Sequence, residues 1–520
     1  MQTLWQDLRS GARMLLKKPC VTLRATQWQV ALTLLLLVLL LVLIVKTVSA
    51  QQKAGDLKLE AYALETPDRQ KIAAELGKLL VPEKRRNAQS RLIELAFVRL
   101  KSTAQMPGAP IIYLEGGPGN SGIAAARGPA LPLFLALREV GDVILLDQRG
   151  TGMSKPNPIC LRTWDWPLDQ PANPPEIQRV ALERVKACAQ DLQKQGFDLS
   201  GYNTEESADD IEALRQALGA EKVKLWGISY GAHLALAVIR RHERSVERAV
   251  LTGVSGPDHA LLKLPSTIQQ QLAQVDALMK ADAQVSKLIP DFQGLISRLL
   301  NQLEKKPVTV EVTNARTGQK ATVTVGKWDL QFFASSRHTQ TWGIAGAPAF
   351  FYALSQGDFT PLAQAALGFR RSPVGSMMAA AVVCASGASE ERLRTINREA
   401  TQAAFGNAIN FPFPQVCAAL PEIELGRAFR TPIKSSVPVL FISGTLDGRT
   451  PVSNAEEAKK GFPNGHHLVI EGASHGYDLF YFFPRSQEVL QGFLKGQPVT
   501  TNRISILPFR FDPVNSPTGN

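Results

Sequence analysis

The sequence predicts an α/β fold: a mostly parallel sheet flanked by helices, with a large, mainly helical segment inserted into it. Three observations carry that expectation. Strand-length runs of β-branched and aromatic residues alternate with helix-patterned segments up to about residue 258, as parallel strands joined by helical crossovers would. From about 259 to 430 the alternation stops and helical patterning prevails. Two further strand-like runs, 439–442 and 467–470, then return the chain to the sheet. A chain of 520 residues exceeds what one core usually holds, so two packed units and a leader are expected.

Residues 1–50 read as a basic leader. The stretch 30–45 holds sixteen uncharged residues, mostly Leu and Val, preceded by Arg9, Arg13, Lys17, Lys18 and Arg24 and followed by Val48-Ser49-Ala50. That is the pattern of an export signal cleaved before Gln51, and it also leaves open an anchor in the inner membrane through 30–45. The run Leu4-Trp5-Gln6-Asp7-Leu8-Arg9, continued by Gly11-Ala12-Arg13-Met14-Leu15 and Lys17-Lys18-Pro19, resembles the opening of bacterial ABC permeases of the macrolide-exporter type. It implies a fusion or a misassigned start, with Met14 as the alternative. The net charge of +12 falls to +7 without the leader, since 52 basic and 45 acidic residues remain. These charges are scattered and not interleaved with aromatics, so neither a nucleic-acid partner nor any membrane contact beyond the leader is expected.

The first part of the core is assigned to 51–258. Its opening segment carries a strand near 92–98, followed by Ile111-Ile112-Tyr113-Leu114-Glu115-Gly116-Gly117-Pro118-Gly119, a strand that breaks into a Gly-Pro loop. Such a loop can aim backbone N–H groups at a developing oxyanion. Gly117 is the expected donor, because Pro118 has no N–H, and Gly116 is the fallback. An ordinary Gly-rich turn is the plainer alternative. The next strand ends in Asp147-Gln148-Arg149-Gly150-Thr151-Gly152-Met153-Ser154, where Asp147 and Arg149 are expected to pin a loop by charge-assisted hydrogen bonds and to do no chemistry.

After a helix at 206–218 comes Val223-Lys224-Leu225-Trp226 and then Gly227-Ile228-Ser229-Tyr230-Gly231, followed by a helical apolar run. A sharp strand-to-helix turn presents a serine hydroxyl to a base, and its two glycines leave the space the turn needs. Ser229 is therefore the candidate nucleophile and the Tyr230 amide the second oxyanion donor. A Gly-flanked turn with a buried serine is the bland alternative. The partners follow in the order Ser, acid, His, which is that of the α/β-hydrolase fold. Asp447 ends the strand-like run 439–442 and its turn, and His475 sits between small residues in Gly472-Ala473-Ser474-His475-Gly476. Asp258, after the strand that follows the elbow, is a competing acid.

Gly116-Gly117-Pro118-Gly119, Asp147-Gln148-Arg149-Gly150, Gly227-x-Ser229-Tyr230-Gly231, Asp447-x-x-Thr450-Pro451 and His475-Gly476 together resemble the proline iminopeptidase and tripeptidyl aminopeptidase group of α/β hydrolases. The resemblance covers most of 80–495. It implies a serine exopeptidase acting on free peptide N-termini through a Ser229–His475–Asp447 triad, with a lid over the substrate and no cofactor. Proline iminopeptidases usually carry His before Gly-Gly-Pro-Gly. Glu115 stands there in this chain, which points to the tripeptidyl-aminopeptidase-like branch. Acidic lid residues bind the substrate ammonium in such enzymes, and none aligns here. Glu115 is a candidate for that role beside a structural one.

The lid is assigned to 259–430, with a hairpin expected from Val308-Thr309-Val310-Glu311-Val312 and Ala321-Thr322-Val323-Thr324-Val325 around 314–318. Phe332, Phe333, Trp342, Phe350, Phe351 and Tyr352 could line a substrate pocket, with core packing favoured for the set. Residues 431–499 form the second part of the core, and 500–520 a tail that is loose at its end. Besides Cys20, four cysteines remain, with no metal-ligand spacing. In an exported chain they suggest disulfides, most simply Cys160 with Cys188 and Cys384 with Cys417, although four cysteines allow three connectivities and free thiols are the alternative. Three functions stay open: an aminopeptidase on short peptides, an esterase or amide hydrolase with non-peptide substrates, and a non-catalytic binding protein. Oligomeric state is not legible.

Overall fold

The computed structural model describes residues 52–514, apart from 67, 260–261, 315–316 and 338–339, together with Thr33. The signal or anchor stretch, the permease-like start and the last six residues lie outside the described residues, as does part of the expected hairpin turn. Contacts divide the chain into two units, Met1–Lys53 and Ala54–Asn520, and the fold belongs to the second. Among the described residues no helix is long and apolar enough to cross a membrane.

Ten strands make the main sheet. In chain order they are β1 (Leu57–Glu65), β2 (Lys71–Pro82), β3 (Leu92–Leu100), β4 (Gly108–Leu114) and β5 (Gly141–Leu146); after the outlying β6 (Ile159–Thr163) come β7 (Val223–Ile228) and β8 (Val246–Thr252). Past β9 (Val308–Thr313), β10 (Lys320–Val325) and β11 (Pro373–Ser376), β12 (Val439–Gly444), β13 (Gly465–Glu471) and β14 (Arg503–Ser505) complete it. The spatial order is β1-β2-β3-β5-β4-β7-β8-β12-β13-β14. From β5 to β14 neighbouring strands are parallel, and β1, β2 and β3 are added antiparallel at one edge. The mostly parallel sheet read from the sequence is thus present.

Burial explains the composition of each strand. β7 and β12 are buried at every residue, because helices cover both faces, and so they are apolar but for Lys224 and Ser443. Successive side chains point to opposite faces. Ile112, Leu225, Leu251 and Phe441 therefore join one core cluster, while Tyr113, Trp226, Val250 and Leu440 join the other. Edge strand β1 is mostly open to solvent and carries charges at Lys58, Glu60 and Glu65.

Between β8 and β12 the chain leaves the sheet and builds its own core, in which Leu272, Phe292, Leu299, Phe351 and Leu362 are buried. The helix Phe292–Lys305 shows why: it buries Phe292, Leu295, Ile296, Leu299, Leu300 and Leu303, the spacing of one helical stripe. Asp291 caps it by accepting from the Gly294 amide at 2.9 Å. β9 and β10 pair antiparallel as the expected hairpin. β6 pairs with β11, tying the segment after β5 to the insertion. Cys160 on β6 is bonded to Cys188 on the helix Pro174–Lys194, and Cys384 on the helix Met377–Ser386 to Cys417. Those are the pairs expected from sequence neighbours.

The tail is more ordered than its composition suggests. β14 extends the parallel sheet beside β13. Beyond it the Ile506 amide donates to Glu471 O at 3.0 Å and that of Asp512 to Ala345 O at 3.0 Å. Phe509 and Phe511 pack on the core of the insertion. Residues 503–512 therefore form a strap from the sheet edge to the insertion.

Candidate active site

Ser229 sits where β7 turns into the helix Tyr230–His242, with φ 56° and ψ −115°. A non-glycine residue in the left-handed region is strained, and packing holds it there. The Ser229 amide donates to Thr252 O at 2.9 Å on β8. A Cβ at Gly227 would overlap the Gly231 carbonyl, and one at Gly231 the carbonyl of Leu114 on β4. Both glycines are thus required by close approach of backbone to backbone.

The acid and the base come from the loops after β12 and β13, which lie beyond β8 from the elbow strand in the sheet. His475 Nε2 lies 3.1 Å from Ser229 Oγ, and its Nδ1 lies 2.9 Å from Asp447 Oδ2. Asp447 Oδ1 accepts the amides of Arg449 and Thr450, each at 2.8 Å, while Oδ2 accepts the Thr450 hydroxyl at 2.5 Å. Burial works against the charged carboxylate. The attraction of His475 and the hydrogen bonds from His475 and Thr450 outweigh it and hold the Asp447 pKa below its ordinary value. The arrangement can pass a proton from Ser229 Oγ to the imidazole, with the buried Asp447 carboxylate orienting the ring and stabilising the imidazolium without taking the proton.

The Gly-Pro loop after β4 lies against the nucleophile: a Cβ at Gly116 would stand 3.0 Å from Ser229 Cβ. The Gly116 amide donates to Glu115 Oε1 at 3.0 Å, which leaves Gly117, at φ 115°, as the better oxyanion donor. The Tyr230 amide is the first of its helix and has no helical carbonyl one turn back, so it is placed to be the second. Asp147 anchors the far side of this loop through the Ser121 hydroxyl at 2.5 Å and the amides of Ile123 and Met153. Arg149, fully buried, makes a two-pronged pair with Asp210 and donates to the Glu83 and Gly201 carbonyls. Both residues are structural, as expected.

Ser229 and His475 open onto a cavity of about 940 Å3, whose walls include Glu115, Trp342, Arg449 and Tyr477. Both substrate-binding candidates are thus at the site. Glu115 accepts the Tyr113 hydroxyl at 2.5 Å, and burial raises its pKa against the pull of Tyr113, Gly116, Asn120 and His475. Trp342 is 58% exposed. The other aromatics pack elsewhere: Phe332 stacks on Trp328 with ring centres 4.9 Å apart, and Phe350 and Phe351 sit in the core of the insertion. Asp258 is not at the site. It accepts the amide and hydroxyl of Ser389, at 2.8 and 2.6 Å, where the helix Glu390–Ala400 begins.

Several wall residues went unread in the sequence. Arg449 and Tyr477 stand inside or just after the Asp447 and His475 motifs, and that proximity was the available signal. Ile506, Pro508, Phe509 and Arg510 of the strap also line the cavity. Alternating apolar residues from Ile504 to Phe511 would have marked them as a strand-like segment that packs on something. Among the described residues no group of three or more His, Cys, Asp or Glu side chains could hold a metal ion.

The chain is similar in sequence to several proteins named as peptidases. Serine protease Hip1 of Mycobacterium tuberculosis is 29% identical over 190 residues, 35% of this chain and 36% of that protein. In that match the chain spans little more than a third of its relative. Tripeptidyl aminopeptidase of Streptomyces lividans is 25% identical over 448 residues, 77% of this chain and 78% of that one. Proline iminopeptidase of Neisseria meningitidis is 29% identical over 161 residues, 31% and 37% of the two chains. The family described as alpha/beta hydrolase fold matches residues 109–477, from β4 past His475. With the elbow, the parallel sheet and the order of strands in place, the chain belongs to the α/β-hydrolase fold family.

Proposed function

We propose that this protein is an exported serine peptidase that hydrolyses short peptides from their free N-terminus. The observation that carries the reading is that Ser229, His475 and the Glu115 carboxylate share one cavity of about 940 Å3, a volume suited to a short peptide. A half-buried carboxylate whose charge is opposed by desolvation gains from a substrate ammonium beside it. The peptide-cleaving names of the tripeptidyl aminopeptidase and proline iminopeptidase relatives support the same substrate class.

In this mechanism Asp447 fixes the imidazole tautomer and His475 Nε2 takes the Ser229 proton as Oγ attacks the scissile carbonyl. The amides of Gly117 and Tyr230 hold the oxyanion. The imidazolium then protonates the leaving amine, and water, activated by the same imidazole, hydrolyses the acyl-enzyme. Two disulfides support an oxidising compartment, in keeping with the signal-like leader.

Release of a fluorogenic amine from mono-, di- and tripeptide substrates, with free and acetylated N-termini, tests the proposal on residues 51–520. Cleavage confined to free N-termini and lost in Ser229→Ala is the expected result. Turnover of a simple aryl ester without peptide cleavage would replace the peptidase by an esterase.

A further inference from the structure

Arg449 forms part of the cavity wall two residues after Asp447. Its amide bonds to Asp447 Oδ1, which fixes its backbone, but among the described residues its guanidinium enters no ion pair and no side-chain hydrogen bond. The one opposite charge that reaches it is that of Asp447, already engaged by His475 and Thr450.

The neighbourhood holds more positive charge still. Lys263, 7% exposed, has its pKa pushed down to about 7 by burial and by the charges of Arg449 and Arg392. On the other wall residue that bears a cation, Arg510 of the strap, no ion pair forms among the described residues either. Glu115, by contrast, is surrounded by Tyr113, Gly116 and Asn120. One cavity thus offers two carboxylates, Glu115 and Asp478, the second engaged by the amide and hydroxyl of Ser474, and an unmatched guanidinium. A guanidinium has five N–H donors and keeps its proton, so leaving it unpaired in a partly buried wall is costly. A carboxylate answers it with two parallel charge-assisted hydrogen bonds.

We infer that Arg449 is a specificity residue that binds a carboxylate of the substrate, so that the preferred substrates are short peptides carrying an anionic group within the cavity. That group is either the free C-terminus of a di- or tripeptide or an acidic side chain. The inference rests on the peptidase reading above.

The test compares kcat/KM for matched tripeptides with a free C-terminus, with a C-terminal amide, and with an amide plus one Glu side chain. Wild type, Arg449→Gln and Arg449→Lys are assayed, with Ser229→Ala as the blank. The expected result is a preference of about tenfold or more for one or both anionic peptides over the neutral amide, carried by KM. It collapses towards unity in Arg449→Gln and is partly kept in Arg449→Lys. The anionic peptide that is preferred identifies the source of the carboxylate. Equal use of all three peptides by the wild type, or a preference that survives Arg449→Gln, overturns the inference and leaves the peptidase reading intact. A fall in Arg449→Gln that is the same for charged and neutral peptides also overturns it, because it marks Arg449 as a mere support of Asp447. Absence of cleavage of every peptide, with aryl esters still turned over, defeats the peptidase reading itself and the subsite with it.

Discussion

Thr450 Oγ stands 2.5 Å from Asp447 Oδ2 and 3.0 Å from His475 Nδ1, so one hydroxyl touches both halves of the acid–base pair. It donates to the carboxylate and so supports the anion that orients the imidazole. Thr450→Val removes a hydrogen bond to a charged group, worth about 1.5–3 kcal/mol, and should lower kcat by about tenfold or more. Thr450→Ser should restore most of it. Peptide and ester substrates should suffer alike, because the triad serves both. Unchanged turnover in Thr450→Val would show that the amides of Arg449 and Thr450 hold Asp447 unaided.

Lys263 gives the fold a pH dependence. Its folded pKa, near 7, lies below the value of about 10.4 in an unfolded chain. Between these values the unfolded state holds a proton that the folded state lacks, so this group makes stability rise with pH across that window. Below pH 7 the full cost of a buried ammonium is present. Lys263→Met should therefore stabilise the protein, by about 1–4 kcal/mol, and more at pH 6 than at pH 9. Denaturant unfolding at the two pH values measures this. Destabilisation at both would show that the lysine has a partner worth more than its burial costs.

The disulfides close loops of 28 and 33 residues in sequence separation. On the chain-entropy account each bridge stabilises by about 3–4 kcal/mol. Reduction should lower the unfolding midpoint markedly. Removing Cys384–Cys417 should also reduce activity, because its helix Met377–Ser386 starts against the Gly-Pro loop, where a Cβ at Gly119 would touch Ser376 Oγ and Ala379 Cβ at 3.4 Å. Thermal unfolding and activity of Cys384→Ser/Cys417→Ser check both points.

The strap that carries Phe509 and Arg510 closes one side of the cavity. Truncation after Ser505 leaves β14 in place but removes that wall, so KM for peptides should rise by about tenfold with a smaller change in kcat. A loss confined to kcat would show instead that the strap supports the triad.

The Ser229, His475 and Asp447 set was legible because each of its parts is local. Ser229 needs a strand, two glycines and a helix within a few residues, and Asp447 and His475 each end a short apolar strand. The fold class was legible for a related reason, since strands buried on both faces are predominantly apolar. What joins distant segments was not. Arg449 lines the cavity together with residues far away in the chain, from Tyr113 to Arg510, and no periodicity encodes that. Trp342 and Phe350 look alike in the sequence, yet one faces the cavity and the other the core of the insertion. The strap reads as part of a tail that is loose at its end until its contacts with Glu471 and Ala345 are seen. Asp258 follows a strand just as Asp447 does, and only its bonds to Ser389 remove it from the site.

The central claim is that Ser229, activated by His475, is the nucleophile. Labelling with a fluorophosphonate, followed by peptide mapping, tests it most directly. The account predicts a single adduct on Ser229 Oγ in the wild type, strongly slowed in His475→Ala and absent in Ser229→Ala together with all hydrolysis. An adduct on another residue, or hydrolysis that persists in Ser229→Ala, would contradict it.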